Sequence, residues 1–254
     1  ERDYMEKALV NKGIRKGIDF YNGTTYGSTD FTTVNHNWNI VGNTGMIAAS
    51  LAVCDKYPNM SFKMVETALK GVEKAIASFA PDGGWGEGPM YWDYSMQYAS
   101  YLSSILQTAL GTDFNIPDYK GFSNTWRFWT VSTFNAGSNN YHDATAGTNY
   151  YNAQWLMYIA QKFNNKQAEN AALTASDALG GIIDKTDLPE AGVWYSRVCS
   201  GEQANPDEIN LDDTVYGVEA GAMRSSWSDK NAFAIGFHGG WTGVNHYHID
   251  AGAY

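Results

Sequence analysis

The last nine residues, HYHIDAGAY at 246–254, carry two histidines and an aspartate. On an extended strand, residues i and i+2 point to the same face, so His246 and His248 would approach one common group. Imidazole side chains transfer protons near neutral pH and are frequent metal ligands. The spacing therefore predicts a site at which both histidines meet one substrate or one metal ion.

A second concentration of polar groups lies in TTVNHNWNIVGNTGM, residues 32–46, where a helix is predicted to begin. Three amides and one imidazole surround an indole there: Asn35, Asn37, Asn39, His36 and Trp38. Any one asparagine at a helix N-terminus is well explained as a cap. Four such groups exceed what one cap needs, so the stretch is also a candidate substrate-binding region.

A third stretch, PDGGWGEGPMYWDYSMQY at 81–98, places a glycine-rich turn before a predicted helix. The turn presents Trp85 and Glu87, and the helix opens with Tyr91, Trp92 and Tyr94. No Lys-Ser or Lys-Thr follows the glycines, so the turn does not resemble a phosphate-binding loop. Tyrosine and histidine can both act as acid or base once their surroundings tune the pKa, which makes Tyr91 and the histidines candidates for proton transfer.

Helices are predicted for most of the chain before residue 189. In residues 61–79, apolar side chains recur at steps of four, three, four and three from Val65 to Phe79, which predicts an amphipathic helix. Weaker helical patterns cover 4–21, 38–57, 90–110, 119–134, 148–163 and 165–179.

After Pro189 the pattern changes to short β-rich runs at 192–198, 214–227, 231–237 and 245–254. Helices followed by strands predict an α+β protein with separate helical and β layers. We therefore expect a helical domain over 1–189 and the first strands of a β domain over 190–254. The chain opens with Glu1 inside a helical pattern, so we expect it to begin within a longer protein, and any signal peptide would lie outside it.

Composition narrows the classes of partner. The net charge is −10 with 17 basic residues and no basic stripe, which argues against nucleic acid. No apolar run approaches the roughly 18 residues of a membrane-spanning helix. Nine Trp and 17 Tyr suit the C–H faces of sugars, although core packing explains many of them equally well. Cys54 and Cys199 are predicted to be free thiols of the core.

Four stretches in order along the chain resemble the heparinase II/III-like polysaccharide lyases: NHNWNIVGNTGM, PDGGWGEGPMYWDY, GAMRSSWSDKNAFAIGFHGG and NHYHIDAGAY. The resemblance implies an N-terminal (α/α) toroid of helical hairpins, followed by an antiparallel β-sandwich domain, with the active site between the two. It implies β-elimination at a uronic acid of an acidic polysaccharide, of the glycosaminoglycan or alginate kind.

The resemblance also implies roles for individual residues. Tyr91 matches the catalytic tyrosine, His36 or Asn37 the residue that neutralises the substrate carboxylate, and His246 the active-site histidine of the terminal motif. His248 matches a histidine that binds a structural metal in some relatives, so we expect a divalent ion such as zinc or calcium in the full-length protein. One His and the nearby Asp250 are fewer than the three or four ligands that zinc usually has.

Further roles follow from position alone. Glu87 either orients His36 or Tyr91, or places a favourable negative charge at the start of a helix. The predicted substrate-binding residues are Trp38, Asn39, Trp85, Trp92, Tyr94 and Arg224, the last having a salt bridge inside the sheet as its alternative role.

Two other function classes remain open at this point. A glycoside hydrolase would need a carboxylate pair, for which Asp82, Glu87 and Asp93 are the candidates. A non-catalytic glycan-binding protein would keep the fold without the chemistry. The resemblance further suggests a periplasmic or secreted bacterial protein, and it is compatible with a homodimer.

Overall fold

The structure is a computed structural model that describes residues 1–24, 31–134, 137–139, 141–144, 153–178, 194, 203–240, 243–249, 252 and 254. It is a mixed α and β protein, as predicted. The chain divides into two compact units, the first formed by Glu1–Ser78 and Tyr98–Pro117, the second by Phe79–Gln97 and Asp118–Tyr254. The boundary expected near residue 189 lies outside the described residues.

The first unit consists of helices. They are α1 (Arg2–Ala8), a π-helical segment (Leu9–Ile14), α2 (Arg15–Tyr21), α3 (Asn37–Ala52), α4 (Pro58–Ile76) and the second part of α5 (Pro89–Leu110). The predicted amphipathic helix is confirmed as α4, whose Val72 and Ile76 are fully buried. Pro58 fits the first turn of α4 because the amide hydrogen that proline lacks has no partner there.

Helices α3 and α4 approach each other closely through buried amides. Asn39 Nδ2 donates to the Gly71 carbonyl at 3.0 Å, and Asn43 Nδ2 donates to the Asn39 carbonyl at 2.8 Å. A Cβ atom on Gly71 would lie 2.6 Å from Asn43 Oδ1, so this approach requires glycine. Cys54 follows the end of α3 and is exposed, so its predicted place in the core is wrong. Cys199 lies outside the described residues.

The second unit contains helices and strands. The helices are the start of α5, α6 (Trp126–Ser132), α7 (Ala153–Phe163) and α8 (Lys166–Ala178). Short 3₁₀ turns lie at Phe122–Asn124, Pro206–Glu208 and Tyr216–Val218. Two further 3₁₀ turns, Ala77–Phe79 and Ile116–Asp118, span the division between the units. Helix α6 is shorter than the predicted 119–134 because Gly121, at φ 90°, interrupts the helical path. A Cβ there would lie 2.0 Å from the Phe79 carbonyl oxygen.

Two small antiparallel sheets complete this unit. Strands β1 (Thr133–Phe134) and β2 (Gly137–Ser138) form the first, and β3 (Asp212–Val215), β4 (Ala220–Arg224) and β5 (Ala234–His238) form the second in that order. The register pairs Asp213 with Ala222 and Ala222 with Gly236. The runs at 214–227 and 231–237 therefore form strands as predicted, whereas the run at 192–198 lies almost wholly outside the described residues.

The predicted terminal strand is wrong for the residues that the structure describes. Residues 243–249 form turns and bends, and His246 has a left-handed backbone with φ 62°. An extended strand cannot contain such a residue, so strand periodicity does not explain how His246 and His248 are arranged.

Within the described ranges, no helix combines the length and the apolar character that a membrane crossing requires.

Candidate active site

The centre of the candidate site is a stacked pair of rings in the second unit. The Tyr91 ring lies parallel to the His246 imidazole, with the centroids 3.5 Å apart and the planes inclined by 8°. Tyr91 belongs to the first turn of α5, which begins at Pro89 directly after Gly88. Gly88 has φ 88°, a conformation that favours glycine, so the chain turns there into the helix that carries Tyr91.

Asp143 holds both terminal histidines. Its Oδ2 lies 2.7 Å from His246 Nδ1, and its Oδ1 lies 2.6 Å from His248 Nε2. These two hydrogen bonds hold the pKa of Asp143 below its usual value. The sequence predicted that both histidines would meet one substrate or one metal ion. In the structure both bind one carboxylate of the protein itself, which the sequence did not predict.

Glu87 lies behind the stacked pair and is 2% exposed. Its Oε2 accepts from Trp85 Nε1 at 3.0 Å, and its Oε1 accepts from Asn245 Nδ2 at 3.1 Å. The same Oε1 lies 3.9 Å from His246 Nε2. Glu87 therefore adjoins the imidazole of His246 on the side opposite to Asp143.

The surroundings of Tyr91 determine its protonation state. Burial raises the pKa of the Tyr91 hydroxyl, and the negative charges of Asp143 and Glu87 raise it further. An unperturbed tyrosine already has a pKa of about 10. The hydroxyl of Tyr91 is therefore protonated at neutral pH.

A layer of buried aromatic rings supports this site, and the sequence analysis did not predict it. The Tyr141 ring is parallel to that of His238 at a centroid distance of 4.1 Å, and the edge of His142 meets His238 at 4.9 Å. His142 Nδ1 accepts from the backbone amide of His248 at 3.3 Å. The signal in the sequence is the tripeptide Tyr-His-Asp at 141–143, which supplies three side chains to this region.

Two of the predicted sugar-binding tryptophans are core residues instead. Trp85 is 1% exposed and packs on Phe79, and Trp92 is fully buried against Phe128 and Trp155. Trp92 Nε1 donates to Thr125 Oγ1 at 2.8 Å. Their rings have no free face for a sugar, so that prediction is corrected for both residues.

Arg224 is also buried, at 5% exposure, so it does not offer a charge to a polymer at the surface. Its guanidinium donates to the carbonyls of Thr130, Thr133 and Leu211, and lies 3.8 Å from the centre of the Trp227 ring. Removal from water lowers the pKa of Arg224 to about 10. Both the predicted role and its alternative, a salt bridge inside the sheet, are replaced by a carbonyl-binding role.

The predicted polar residues of the first unit divide into buried and exposed groups. Asn39 is fully buried in the contact between α3 and α4, so its predicted role in substrate binding is corrected. Asn37 is buried in the first turn of α3, whereas His36 before it is half-buried. Trp38 is 49% exposed. Asn35, His36 and Trp38 are therefore the members of this group that reach the surface.

The carboxylates considered for a hydrolase have structural partners. Asp82 accepts from the backbone amides of Tyr216 and Gly217 at 2.7 and 3.1 Å. Asp93 accepts from Trp155 Nε1 at 2.6 Å. With Glu87 bound to Trp85, each of the three candidate carboxylates already accepts a hydrogen bond from the protein.

No group of three or more His, Cys, Asp or Glu side chains suited to a metal ion occurs among the described residues. His248 and Asp143 supply two candidate ligands, and they are hydrogen-bonded to each other. Asp250 lies outside the described residues. The described side chains thus supply fewer ligands than the three or four that zinc usually has.

Tyr94, on the same helix as Tyr91, is 39% exposed, so it remains a candidate for substrate binding at the surface.

Comparison with known proteins finds no relative: no protein-family model matches the chain, and no curated sequence matches it.

Proposed function

We propose that this protein is a polysaccharide lyase that cleaves a uronate-containing polymer by β-elimination, on a fold of an (α/α) toroid followed by a β-sandwich. The observation that carries the proposal is the stacking of Tyr91 on His246, whose Nδ1 is hydrogen-bonded to Asp143. This contact joins two proton-transferring side chains in one site, and the reaction needs two proton transfers.

The reaction has defined chemical requirements. A base removes the proton at C5 of the uronate, the electron pair forms the C4–C5 double bond, and the bond from C4 to the glycosidic oxygen breaks. The departing oxygen takes a proton from an acid, so protons and electrons balance without any oxidant or reductant. General acid–base catalysis of this kind contributes about 10²–10⁴-fold to a rate.

The electrostatics favour Tyr91 as the acid. Its raised pKa keeps the phenol protonated at neutral pH, which suits a group that must deliver a proton to the leaving oxygen. His246, with Nδ1 bonded to Asp143, then acts as the base through Nε2, which is buried beside Glu87 in the structure and must be uncovered when the substrate binds. A neutral imidazole suits an anionic substrate better than a carboxylate does, because no like charges are brought together.

The rest of the proposal follows the resemblance and the exposed side chains. His36 remains the residue that the resemblance assigns to the substrate carboxylate. Trp38 and Tyr94 present exposed aromatic surface suited to sugar rings. The net charge of −10 opposes long-range attraction of an anionic polymer, so we expect binding to depend on these short-range contacts.

The experiment is an absorbance assay for unsaturated uronate ends. The purified protein is mixed separately with heparan sulfate, chondroitin sulfate, hyaluronan and alginate. We expect absorbance to rise on one of these polymers, and Tyr91→Phe to lower the rate by about 10²-fold or more because the variant lacks the acidic proton.

The matched control is Tyr4→Phe, which removes the same hydroxyl from a residue that is 75% exposed on α1. It should leave the rate unchanged. New reducing ends without unsaturated uronate would instead indicate a hydrolase. Glycan binding without any cleavage would indicate a binding protein, and either result would contradict the proposal.

A further inference from the structure

We infer that Asp143 is a positioning residue that fixes the tautomer and the orientation of His246. The catalytic consequence of this inference rests on the proposed lyase function, whereas the structural part does not. Asp143 belongs to none of the four stretches that carry the family resemblance.

The carboxylate of Asp143 determines which nitrogen of each bonded histidine carries a proton. An ionised carboxylate only accepts hydrogen bonds, so a nitrogen bonded to it must carry the proton. Asp143 Oδ2 bonds His246 Nδ1, and Oδ1 bonds His248 Nε2. His246 is therefore protonated at Nδ1, and when it is neutral its lone pair lies on Nε2.

The tautomer of His248 follows from the same carboxylate. His248 carries its proton at Nε2, so the two histidines hold opposite tautomers although they are two residues apart. Because His142 Nδ1 accepts from the His248 amide, a neutral His142 is protonated at Nε2. Hydrogen bonds to one carboxylate and one backbone amide thus determine the tautomers of three imidazoles.

Asp143 also holds the backbone that carries His246. Its amide donates to the His246 carbonyl oxygen at 3.3 Å. His246 has φ 62°, a left-handed conformation that is strained for most residues other than glycine. The side-chain and backbone bonds to Asp143 stabilise that conformation, which in turn lays the imidazole flat on Tyr91.

The tautomer of His246 determines which of its nitrogens can accept a proton in catalysis. With Nδ1–H directed to Asp143, the only nitrogen of His246 that can accept a proton is Nε2, on the side of Glu87. An asparagine at 143 has one accepting and one donating atom, so it cannot satisfy both imidazoles in their present tautomers. In the serine-protease triad, the same Asp-to-Asn replacement keeps the geometry and yields the wrong tautomer.

The primary test is ¹⁵N NMR of the histidine side chains at neutral pH, because it reads the tautomers without any substrate. The chain has five histidines, so His→Gln variants assign the signals. We expect His246 to be protonated at Nδ1 and His248 at Nε2, and expect Asp143→Asn to change at least one of the two. Asp207→Asn, an exposed carboxylate in the same unit, is the control and should change neither.

The kinetic test follows on the polymer that the protein cleaves. Asp143→Asn should lower kcat by about 10²–10⁴-fold while KM stays within about twofold, because Asp143 acts through His246 and not on the substrate. Asp143→Glu, which restores a carboxylate, should recover part of the lost rate. A merely structural role would instead reduce kcat in step with the folded fraction.

The outcomes separate the two proposals. A neutral His246 protonated at Nε2 rather than at Nδ1 in the unchanged protein would overturn the inference, even if Asp143→Asn fails to fold. Predicted tautomers in a protein that cleaves no polymer would leave the inference standing and remove the proposed lyase function. An active protein whose kcat is unaffected by Asp143→Asn would overturn the positioning role.

Discussion

The imidazole of His246 lies flat on the phenol ring of Tyr91, with ring centres 3.5 Å apart. These two residues are distant in sequence, and they do not lie on the same helix or strand. Asp143 determines the side of the imidazole that carries the proton, and Glu87 adjoins the other side. The electrostatics of this stacked pair therefore depend on both carboxylates.

The first prediction concerns ionisation of Tyr91. In an ultraviolet titration of phenolate, the difference between the unchanged protein and Tyr91→Phe should show a transition above the usual tyrosine pKa of about 10, because burial and the charges of Asp143 and Glu87 oppose ionisation. Asp143→Asn should move that transition to lower pH, since it removes one of the two negative charges.

The same shift has a consequence for stability. The folded pKa of Tyr91 lies above the unfolded value, so its contribution to stability is complete below about pH 10 and is lost as pH rises through the folded pKa. Tyr91→Phe should lack that part of the alkaline destabilisation. A Tyr91 transition at or below the pH of the exposed tyrosines would contradict this prediction.

The second prediction separates two tryptophans that the sequence could not distinguish. Trp38→Ala should weaken glycan binding and leave the free energy of unfolding nearly unchanged, because the side chain is half exposed. Trp85→Ala should lower that free energy by about 3–5 kcal/mol, because a large buried ring is lost. Urea unfolding and glycan titration of both variants measure the two effects, and equal destabilisation by both would contradict the assignment.

Periodicity predicted the helices well because burial of one face is a local pattern, as in α4. The roles of aromatic and charged residues were harder to predict, because a motif does not show whether its side chains point into the core or to the surface. Trp85, Trp92 and Arg224 stand in the recognised stretches, yet each points into the second unit, where polar atoms of Glu87, Thr125 and Thr130 satisfy them.

The arrangement of the terminal histidines shows a different limit. Strand periodicity predicted that His246 and His248 would meet one substrate or one metal ion, but the described segment is a turn, and both histidines bind a carboxylate from residue 143. A contact between residues about a hundred positions apart leaves no periodic signal in the chain. Asp143 was therefore not among the predicted site residues.

The third prediction tests the turn that carries Trp85 and Glu87. Gly83 has φ 99°, and a Cβ there would lie 2.5 Å from the Thr125 backbone, so Gly83→Ala must displace the loop. Gly111 is the matched control, because it has φ 75° with open space around its Cβ position. Gly111→Ala should cost only the conformational term of about 1–2 kcal/mol in unfolding free energy.

Gly83→Ala should cost clearly more than Gly111→Ala and should also disturb the environment of Trp85. Thermal unfolding gives the first quantity and tryptophan fluorescence reports the second. Similar costs for the two variants would mean that the close approach between Gly83 and Thr125 has no energetic effect.

The fourth prediction concerns Arg224, for which charge and hydrogen-bonding geometry make different demands. If the residue served only as a positive charge, Arg224→Lys would preserve its role. In the structure the planar guanidinium reaches three carbonyl oxygens and stacks on Trp227, which an ammonium group cannot reproduce. Hydrogen bonds from a charged donor contribute about 1.5–3 kcal/mol each.

Both Arg224→Lys and Arg224→Ala should therefore lower the free energy of unfolding by at least about 2 kcal/mol, because the carbonyls of Thr130 and Thr133 lose the guanidinium donor, whereas that of Leu211 keeps the backbone amide of residue 224. Urea unfolding measures this loss, and Lys230→Ala, which removes an exposed positive charge, is the control and should stay within about 0.5 kcal/mol. A lysine variant as stable as the unchanged protein would show that charge alone is required. Weaker glycan binding at full stability would instead indicate that Arg224 contacts the substrate, which its burial argues against.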